Sequence, residues 1–183
     1  MICNCNDYDP SPISEPAQLC SLLEDLPESA RNAYGGFLET QPKIKQALIK
    51  FFSSPDAYPH ITPLIIYNEV DHSIVTIMAN NQAKPDEIGE EGSILAYVRT
   101  YGFDETFMCS DCYGQLSCSS CAVELLYGSV GNPEPREEEY DMLDIDDAKP
   151  ATEKSRLSCQ LIVGDTPLVL KIRAPQKILS KVL

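Results

Sequence analysis

The stretch Cys112-Tyr-Gly-Gln-Leu-Ser-Cys118-Ser-Ser-Cys121 places three cysteines close together, and Arg156-Leu-Ser-Cys159-Gln adds a fourth. The spacing is Cys-x5-Cys-x2-Cys-x37-Cys. Three neighbouring thiolates can wrap one loop around a metal group, with backbone N–H groups turned toward the sulfur atoms. A distant fourth thiolate can then fix that loop to the body of the fold. The pattern therefore predicts a metal or cluster site built from a loop and a remote segment.

Iron–sulfur chemistry accounts for this spacing directly. A 2Fe–2S cluster is held by four thiolates, two on each iron, and thiolates are soft ligands that suit such clusters. Small residues such as Gly114 and Ser117 allow the loop backbone to approach closely. We therefore predict a 2Fe–2S cluster held by a set of four ligands: Cys112, Cys118, Cys121 and Cys159.

Zinc is the alternative cofactor. Cys109 and Cys112 form a second Cys-x2-Cys pair, so a four-thiolate zinc site could be built from Cys109, Cys112, Cys118 and Cys121, in a zinc-stabilised adaptor domain that binds other proteins. The five residues between the two pairs fall short of the roughly 15–20 that separate zinc knuckles, which disfavours this reading. The cysteines outside the predicted cluster set are expected to be free thiols: Cys3, Cys5, Cys20 and Cys109.

Composition limits the classes of partner. The chain has 183 residues, of which 43% are hydrophobic, enough for one domain with an extension. It contains no run of about 18 apolar residues, so no membrane insertion is expected. A net charge of −14 argues against nucleic-acid binding and favours a basic protein partner. Acidic residues precede Arg31, the first basic residue, so neither a secretion signal nor a transit peptide is expected. We predict a cytoplasmic protein, with the mitochondrial matrix as the alternative.

The hydrophobic pattern divides the chain at about residue 58. Residues 1–58 are expected to form an N-terminal extension of unknown role: a loose tail followed by helices over about 28–38 and after Pro42. The second part contains strands over 61–67 and 73–78, a helix from Ser93 to Gly102, a strand over 122–127, a helix over about 136–144, and strands over 161–163 and 168–172. This mixed order predicts an α+β domain over 59–183 in which a helix packs across a sheet.

These segments resemble the adrenodoxin-type 2Fe–2S ferredoxins of vertebrate mitochondria and bacterial iron–sulfur assembly systems. That group has five residues between its first two ligands, where plant-type ferredoxins have four. Over about residues 60–174 the likeness also includes three further segments: Gly92-Ser-Ile-Leu95 before the cluster, the acidic helix Glu137–Asp144, and Ser155-Arg-Leu-Ser-Cys-Gln160 around the fourth ligand. The resemblance implies a β-grasp (ubiquitin-like) fold. Ala122 stands where the family usually has a His that links the cluster loop to neighbouring backbone, so the tuning of the cluster is expected to differ.

The resemblance also implies a function. It predicts a one-electron carrier and not an enzyme, reduced by a flavin-containing NAD(P)H-dependent ferredoxin reductase. The acceptor would be the iron–sulfur cluster assembly machinery or a haem monooxygenase. Residues 134–147 contain eight acidic residues and one basic residue. A solvated surface is the ordinary explanation of such a run, but in the family this helix docks basic partners. The expected docking residues are Glu137, Glu138, Asp141 and Asp144.

Overall fold

The computed structural model describes Gln46, Leu48, Lys50, Phe51 and residues 54–68, 73–144 and 151–173. A short 3-10 helix, Pro55–Ala57, precedes the main elements. These are β1 (Ile61–Asn68), β2 (Ile74–Asn80), α1 (Ile94–Thr100), β3 (Ala122–Tyr127), α2 (Glu137–Asp144), β4 (Ser155–Leu157) and β5 (Leu168–Ile172).

The five strands form one mixed sheet in the order β2-β1-β5-β3-β4. β1 pairs antiparallel with β2, the next strand along the chain, and parallel with β5, with Ile66 opposite Leu170. β3 pairs antiparallel with both β5 and β4. The first and last strands thus lie side by side near the middle of the sheet. This topology, with α1 packed across it, is the β-grasp arrangement and confirms the predicted α+β class.

Helix α1 begins and ends where the sequence predicts. The Ser93 hydroxyl accepts a hydrogen bond from the Ala96 backbone N–H at 3.3 Å, which caps the helix. Gly102, with φ +85°, allows the chain to turn away after Thr100. Leu95 and Val98 are fully buried in the main core, together with residues from one face of the sheet such as Leu64 and Leu170.

The opposite face of the sheet is buried as well. Side chains alternate along a strand, so Ile65 and Val169 point away from α1, and both are 0% exposed. Before β1, Leu48 and Phe51 are helical and buried, whereas Gln46 and Lys50 are helical and exposed. The predicted helix after Pro42 is confirmed at these positions. The remaining predicted positions lie outside the described residues: Ile44, Ile49, Phe52 and the helix over 28–38.

One predicted strand is wrong. Residues 161–163 contribute only an isolated bridge, between Ile162 and Ser93, and the fourth strand is Ser155–Leu157 instead. After Leu157 the chain turns sharply, because both Gln160 and Leu161 donate their backbone N–H groups to the Leu157 carbonyl. The segment then runs past the start of α1. Its apolar residues are therefore buried by a helix end, a situation that an apolar run alone does not distinguish from a strand.

Candidate metal centre

The structure brings the four predicted cysteines together as two pairs. Cys112 and Cys118 lie close enough to shift each other's pKa, and so do Cys121 and Cys159. The pairs are neighbours, because charge on Cys112 and Cys118 acts on Cys159. Cys112 and Cys118, the outer pair, are half-buried, whereas Cys121 and Cys159, the inner pair, are 1% and 0% exposed. Two thiol pairs are the donor set that a cluster of two irons requires.

The loop between Cys112 and Cys118 has an unusual backbone. Tyr113, Gly114 and Leu116 all have positive φ, at 53°, 77° and 53°. Side chains other than that of glycine rarely adopt this conformation, since it brings Cβ close to the following carbonyl oxygen. Three positive φ values within four residues turn the chain back tightly on itself. The turn brings the Ser117 and Gln115 N–H groups to the Cys112 sulfur, where they favour a negatively charged thiolate.

Hydrogen bonds from this loop lower the pKa of the Cys112 thiol. Burial acts to raise that pKa, but bonds from the Ser117 backbone N–H and from the Cys118 thiol outweigh it and lower the pKa from 9.0 to about 7. The Gln115 N–H acts on the same sulfur. Burial raises the pKa of Cys118, although the Ser120 hydroxyl and N–H oppose this rise. Within the outer pair, Cys112 is therefore the thiol that loses its proton more readily.

In the inner pair, too, one thiol has a raised pKa and the other a lowered pKa, and both thiols are buried. The hydrogen bond to Cys159 and burial raise the pKa of Cys121 well above its ordinary value, while the bond from Cys121 lowers the pKa of Cys159. Two adjacent buried thiolates repel each other, so both become charged only when a cation compensates them. Metal coordination supplies that charge and deprotonates a thiol outright. Both pairs thus have the electrostatics of metal ligands.

Cys109 belongs to neither pair, although the Ser120 hydroxyl that lies 3.1 Å from the Cys118 sulfur also acts on the Cys109 thiol. Its half-buried thiol donates a hydrogen bond to the Asp111 carboxylate, with 3.2 Å between Sγ and Oδ1. Burial raises the pKa of this thiol. Within the described ranges, no three Cys, His, Asp or Glu side chains converge as a site for one metal ion requires. Cys3, Cys5 and Cys20 lie outside the described residues.

Two glycines allow three backbone segments to stack at the site. A Cβ on Gly114 would lie 2.5 Å from the Gly89 nitrogen, and a Cβ on Gly89 would lie 2.7 Å from the Cys159 carbonyl oxygen. The Glu90 N–H donates to the same carbonyl oxygen at 2.8 Å. The sequence indicated Gly114 as a small residue of the loop but gave no sign of Gly89. A close approach between distant segments leaves no local pattern.

Arg99 fixes the chain that leads into the loop. Its guanidinium donates to the carbonyl oxygens of Asp104 at 2.9 Å and Met108 at 2.7 Å, and to the Ser110 hydroxyl at 2.9 Å. A fourth bond reaches the Phe103 carbonyl oxygen at 3.2 Å. One side chain at the end of α1 therefore orders the segment immediately before Cys112. Sequence reasoning missed this role.

Ser120 supplies a connection across the loop near Ala122, which replaces the usual His. The Ser120 hydroxyl accepts the Asp111 N–H at 2.9 Å and lies 3.1 Å from the Cys118 sulfur. When Cys118 is a thiolate, only the hydroxyl can donate in that contact. Ser120 therefore both ties the loop to itself and stabilises negative charge on one ligand.

Helix α2 is attached to the fourth-ligand segment by a buried ion pair. Arg156 Nε lies 2.8 Å from Glu139 Oε1, and Arg156 Nη2 lies 3.1 Å from Oε2. The Leu157 backbone N–H donates to Glu139 Oε1 at 2.8 Å. These side chains are only 5% (Arg156) and 1% (Glu139) exposed. The sequence placed Glu139 in an acidic surface run, but the structure places it in the interior.

The other acidic residues of α2 face solvent. The four predicted docking residues are exposed: Glu137, Glu138, Asp141 and Asp144. On the same helix Leu143 is buried and Met142 half-buried. The helix therefore presents a carboxylate surface on a rigidly anchored base, and its docking role stays a prediction.

The chain is similar to several known proteins. Residues 80–164 match the family described as the 2Fe-2S iron-sulfur cluster binding domain. Rhodocoxin from Rhodococcus erythropolis is 42% identical over 69 residues, covering 37% of this chain and 64% of rhodocoxin. The mitochondrial adrenodoxin homolog of Saccharomyces cerevisiae is 32% identical over 106 residues, covering 56% of this chain and 58% of that protein. The chain thus spans less than two thirds of either relative.

Among solved structures, the ISC-like [2Fe-2S] ferredoxin from Pseudomonas putida superposes with a TM-score of 0.46 at 26% identity, covering 61% of this chain and 92% of that one. The cofactor that the family match indicates is the one that the paired thiols fit. The chain thus contains a match to the 2Fe-2S iron-sulfur cluster binding domain over residues 80–164, and over part of its length it is similar to an adrenodoxin homolog.

Proposed function

We propose that this chain is a one-electron carrier whose 2Fe–2S cluster is bound by Cys112, Cys118, Cys121 and Cys159. The observation that supports this most strongly is the arrangement of the thiols as one half-exposed and one buried pair. When bound, such a cluster accepts and releases a single electron. The protein binds the sulfur atoms, excludes water from the inner pair and directs N–H groups at the outer pair. This role needs no acid, base or nucleophile, so the chain is a carrier and not an enzyme.

The outer pair marks the side from which electrons enter and leave. Cys112 and Cys118 are half-buried, and Tyr113 between them is 67% exposed. Electron transfer requires the donor and acceptor groups to come close together. Only the loop itself separates a partner docked on it from the outer pair, whereas the inner pair is buried in the core.

The electron donor is a flavin-containing NAD(P)H-dependent ferredoxin reductase, and the acceptor is the iron–sulfur assembly machinery or a haem monooxygenase. The support is the likeness to adrenodoxin-type proteins, which includes rhodocoxin and the yeast adrenodoxin homolog. To distinguish the two acceptor classes, the purified chain is combined with the reductase and one candidate acceptor at a time, and the rate at which that acceptor is reduced is measured.

Docking occurs through the exposed carboxylates of α2. Glu137, Glu138, Asp141 and Asp144 present four negative charges on one helix, and complementary charge raises the encounter rate more than the final affinity. A carrier that must leave quickly benefits from that balance. The buried Glu139 anchor holds the charged surface in a fixed orientation relative to the segment of Cys159.

The proposed compartment is the cytoplasm, with the mitochondrial matrix as the alternative. Nothing in the described part of the chain forms a helix long and apolar enough to cross a bilayer. The yeast relative is mitochondrial by name. Fractionation of cells that express the tagged chain tests this assignment.

Cysteine-to-serine variants test the proposed function. Serine at any of the four proposed ligands should weaken or abolish iron retention, measured as iron per chain and as visible absorption. Cys109→Ser is the matched control from the same segment and should keep a full spectrum. The wild type should take up one electron per cluster in an anaerobic reductive titration. Iron loss in Cys109→Ser, with Cys159→Ser unaffected, would overturn the ligand assignment.

A further inference from the structure

The two side chains that flank Cys159 are buried and incompletely bonded. Ser158 is 0% and Gln160 is 4% exposed. Ser158 Oγ and Gln160 Oε1 are the buried side-chain atoms without a hydrogen-bond partner in the part of the chain that the structure describes. A buried polar atom without a partner destabilises a fold, so such atoms are rare and require an explanation. The Ser158 hydroxyl can donate as well as accept, so its missing partner points to the neighbouring thiols; Gln160 Oε1 only accepts and is not completed by a thiolate.

Ser158 is fixed next to Cys121 by its backbone. Its N–H donates to the Cys121 carbonyl oxygen at 3.0 Å, and its own carbonyl oxygen accepts the Leu95 N–H at 3.0 Å. The Ser158 hydroxyl lies near the Cys121 sulfur and acts to lower the pKa of that thiol. It does not reach full hydrogen-bond geometry while both side chains are neutral. When Cys121 is a thiolate, the Ser158 hydroxyl donates to its sulfur and so gains the hydrogen-bond partner that it otherwise lacks.

Gln160 presents its amide N–H group to the other inner sulfur. Its Nε2 lies 3.6 Å from Cys159 Sγ and 3.2 Å from the Cys159 carbonyl oxygen. The Gln160 backbone is held on both sides, with its N–H bonded to the Leu157 carbonyl oxygen at 2.9 Å and its carbonyl oxygen bonded to Asn132 Nδ2 at 2.8 Å. The side chain is thus positioned by the fold and not by solvent.

We propose that Ser158 and Gln160 are positioning residues that donate hydrogen bonds to the inner thiolates Cys121 and Cys159 and raise the reduction potential of the cluster. This inference rests on the proposed ligand assignment. The reduced state carries one more negative charge, so donors aimed at the sulfur atoms stabilise it more than the oxidised state. The effect is large at this pair because a buried hydrogen bond is electrostatically stronger than an exposed one.

Spectroelectrochemical titration of the cluster-loaded full chain tests the proposal. Ser158→Ala removes one hydroxyl, and we expect the equilibrium constant for reduction to fall about tenfold, which for one electron is a potential lower by about 59 mV. Gln160→Leu keeps most of the volume and should shift the potential in the same direction. It also tests the proposal independently if Ser158→Ala fails to retain its cluster.

Ser155→Ala is the matched control. Ser155 is also a buried serine, 3% exposed, but its hydroxyl accepts the Thr152 N–H at 2.9 Å. This variant should lose thermal stability and keep the wild-type potential, as a purely structural role predicts. Cluster-loaded Ser158→Ala and Gln160→Leu with wild-type potentials would overturn the proposal. A wild type without iron or visible absorption would instead contradict the proposed function.

Discussion

The buried carboxylate of Glu139 should contribute much more to stability than any other charge on α2. Glu139→Gln keeps the shape of the side chain and removes its negative charge. Glu139 accepts two hydrogen bonds from Arg156, at 2.8 and 3.1 Å, and one from the Leu157 N–H at 2.8 Å. The Gln variant keeps one acceptor oxygen, but it turns an NH2 group toward a guanidinium that stays buried and charged.

The expected cost is at the lower end of the range for breaking a buried ion pair. Removal of one partner from such a pair destabilises by about 3–5 kcal/mol. Because one oxygen is retained, we expect about 3 kcal/mol. For a chain of this size each kcal/mol corresponds to roughly 2–4 °C in the unfolding midpoint, so the shift should be about 6–12 °C. Arg156 also donates to the Asn132 carbonyl oxygen at 2.9 Å, and the Glu139→Gln variant should keep this hydrogen bond.

Thermal unfolding of the cluster-loaded protein measures this shift, followed by far-UV circular dichroism and by the visible band at one heating rate. Glu138→Gln is the matched control: it makes the same chemical change one residue away, at an exposed position, and should leave the midpoint unchanged within about 0.5 kcal/mol. The double variant Glu139→Leu with Arg156→Met should recover part of the loss, because it leaves no unpaired charge. Equal midpoints for Glu139→Gln and Glu138→Gln would refute the reasoning.

Three further outcomes are expected. Asp141→Asn with Asp144→Asn should slow reduction by a basic reductase and flatten its salt dependence in stopped-flow measurements, with the cluster spectrum unchanged; identical rates and salt slopes would reduce α2 to a solvated surface. Gly114→Ala should impair cluster retention, since its Cβ would clash with backbone, whereas Gly102→Ala has open space and should show only the cost of its positive φ, about 1–2 kcal/mol. A fragment of residues 59–183 should hold the cluster but melt earlier than the full chain, because it lacks the buried helical residues that precede it; a colourless, unfolded fragment would show that the extension belongs to the core.

The cysteine pattern singled out the four thiols that the structure brings together, and their role as cluster ligands stays a prediction. Ligand number and the short distances around a cluster restrict sequence spacing strongly, so Cys112, Cys118 and Cys121 could be assigned to one loop. The structure pairs Cys121 with Cys159, which no local rule determines. The hairpin and α1 were also predictable, since β-branched runs and the Ser93 cap are local signals.

The parts that sequence reasoning missed depend on tertiary contacts. Glu139 lies in the same acidic stretch of sequence as its exposed neighbours, so no local pattern marks it as buried. Its burial is favourable only because Arg156 pairs with it. The wrong strand at 161–163 has the same origin, because burial under a helix end and burial in a sheet select the same apolar residues. Gly89 lies against the backbone of Cys159, which is distant in sequence, and Arg99 donates hydrogen bonds to carbonyl oxygens in the loop that follows α1. Neither contact produces a recognisable sequence motif.

The central pairing of β1 with β5 has a consequence for biosynthesis. The sheet cannot close until Ile172 has been made, yet the three loop cysteines are complete at Cys121, 51 residues earlier. At about 5–20 residues per second this interval lasts roughly 3–10 s. For the first 38 of these residues the loop thiols lack Cys159, and until Ile172 they also lack a finished sheet to shield them. We therefore expect cluster loading to follow completion of the sheet, with the thiols kept reduced until then.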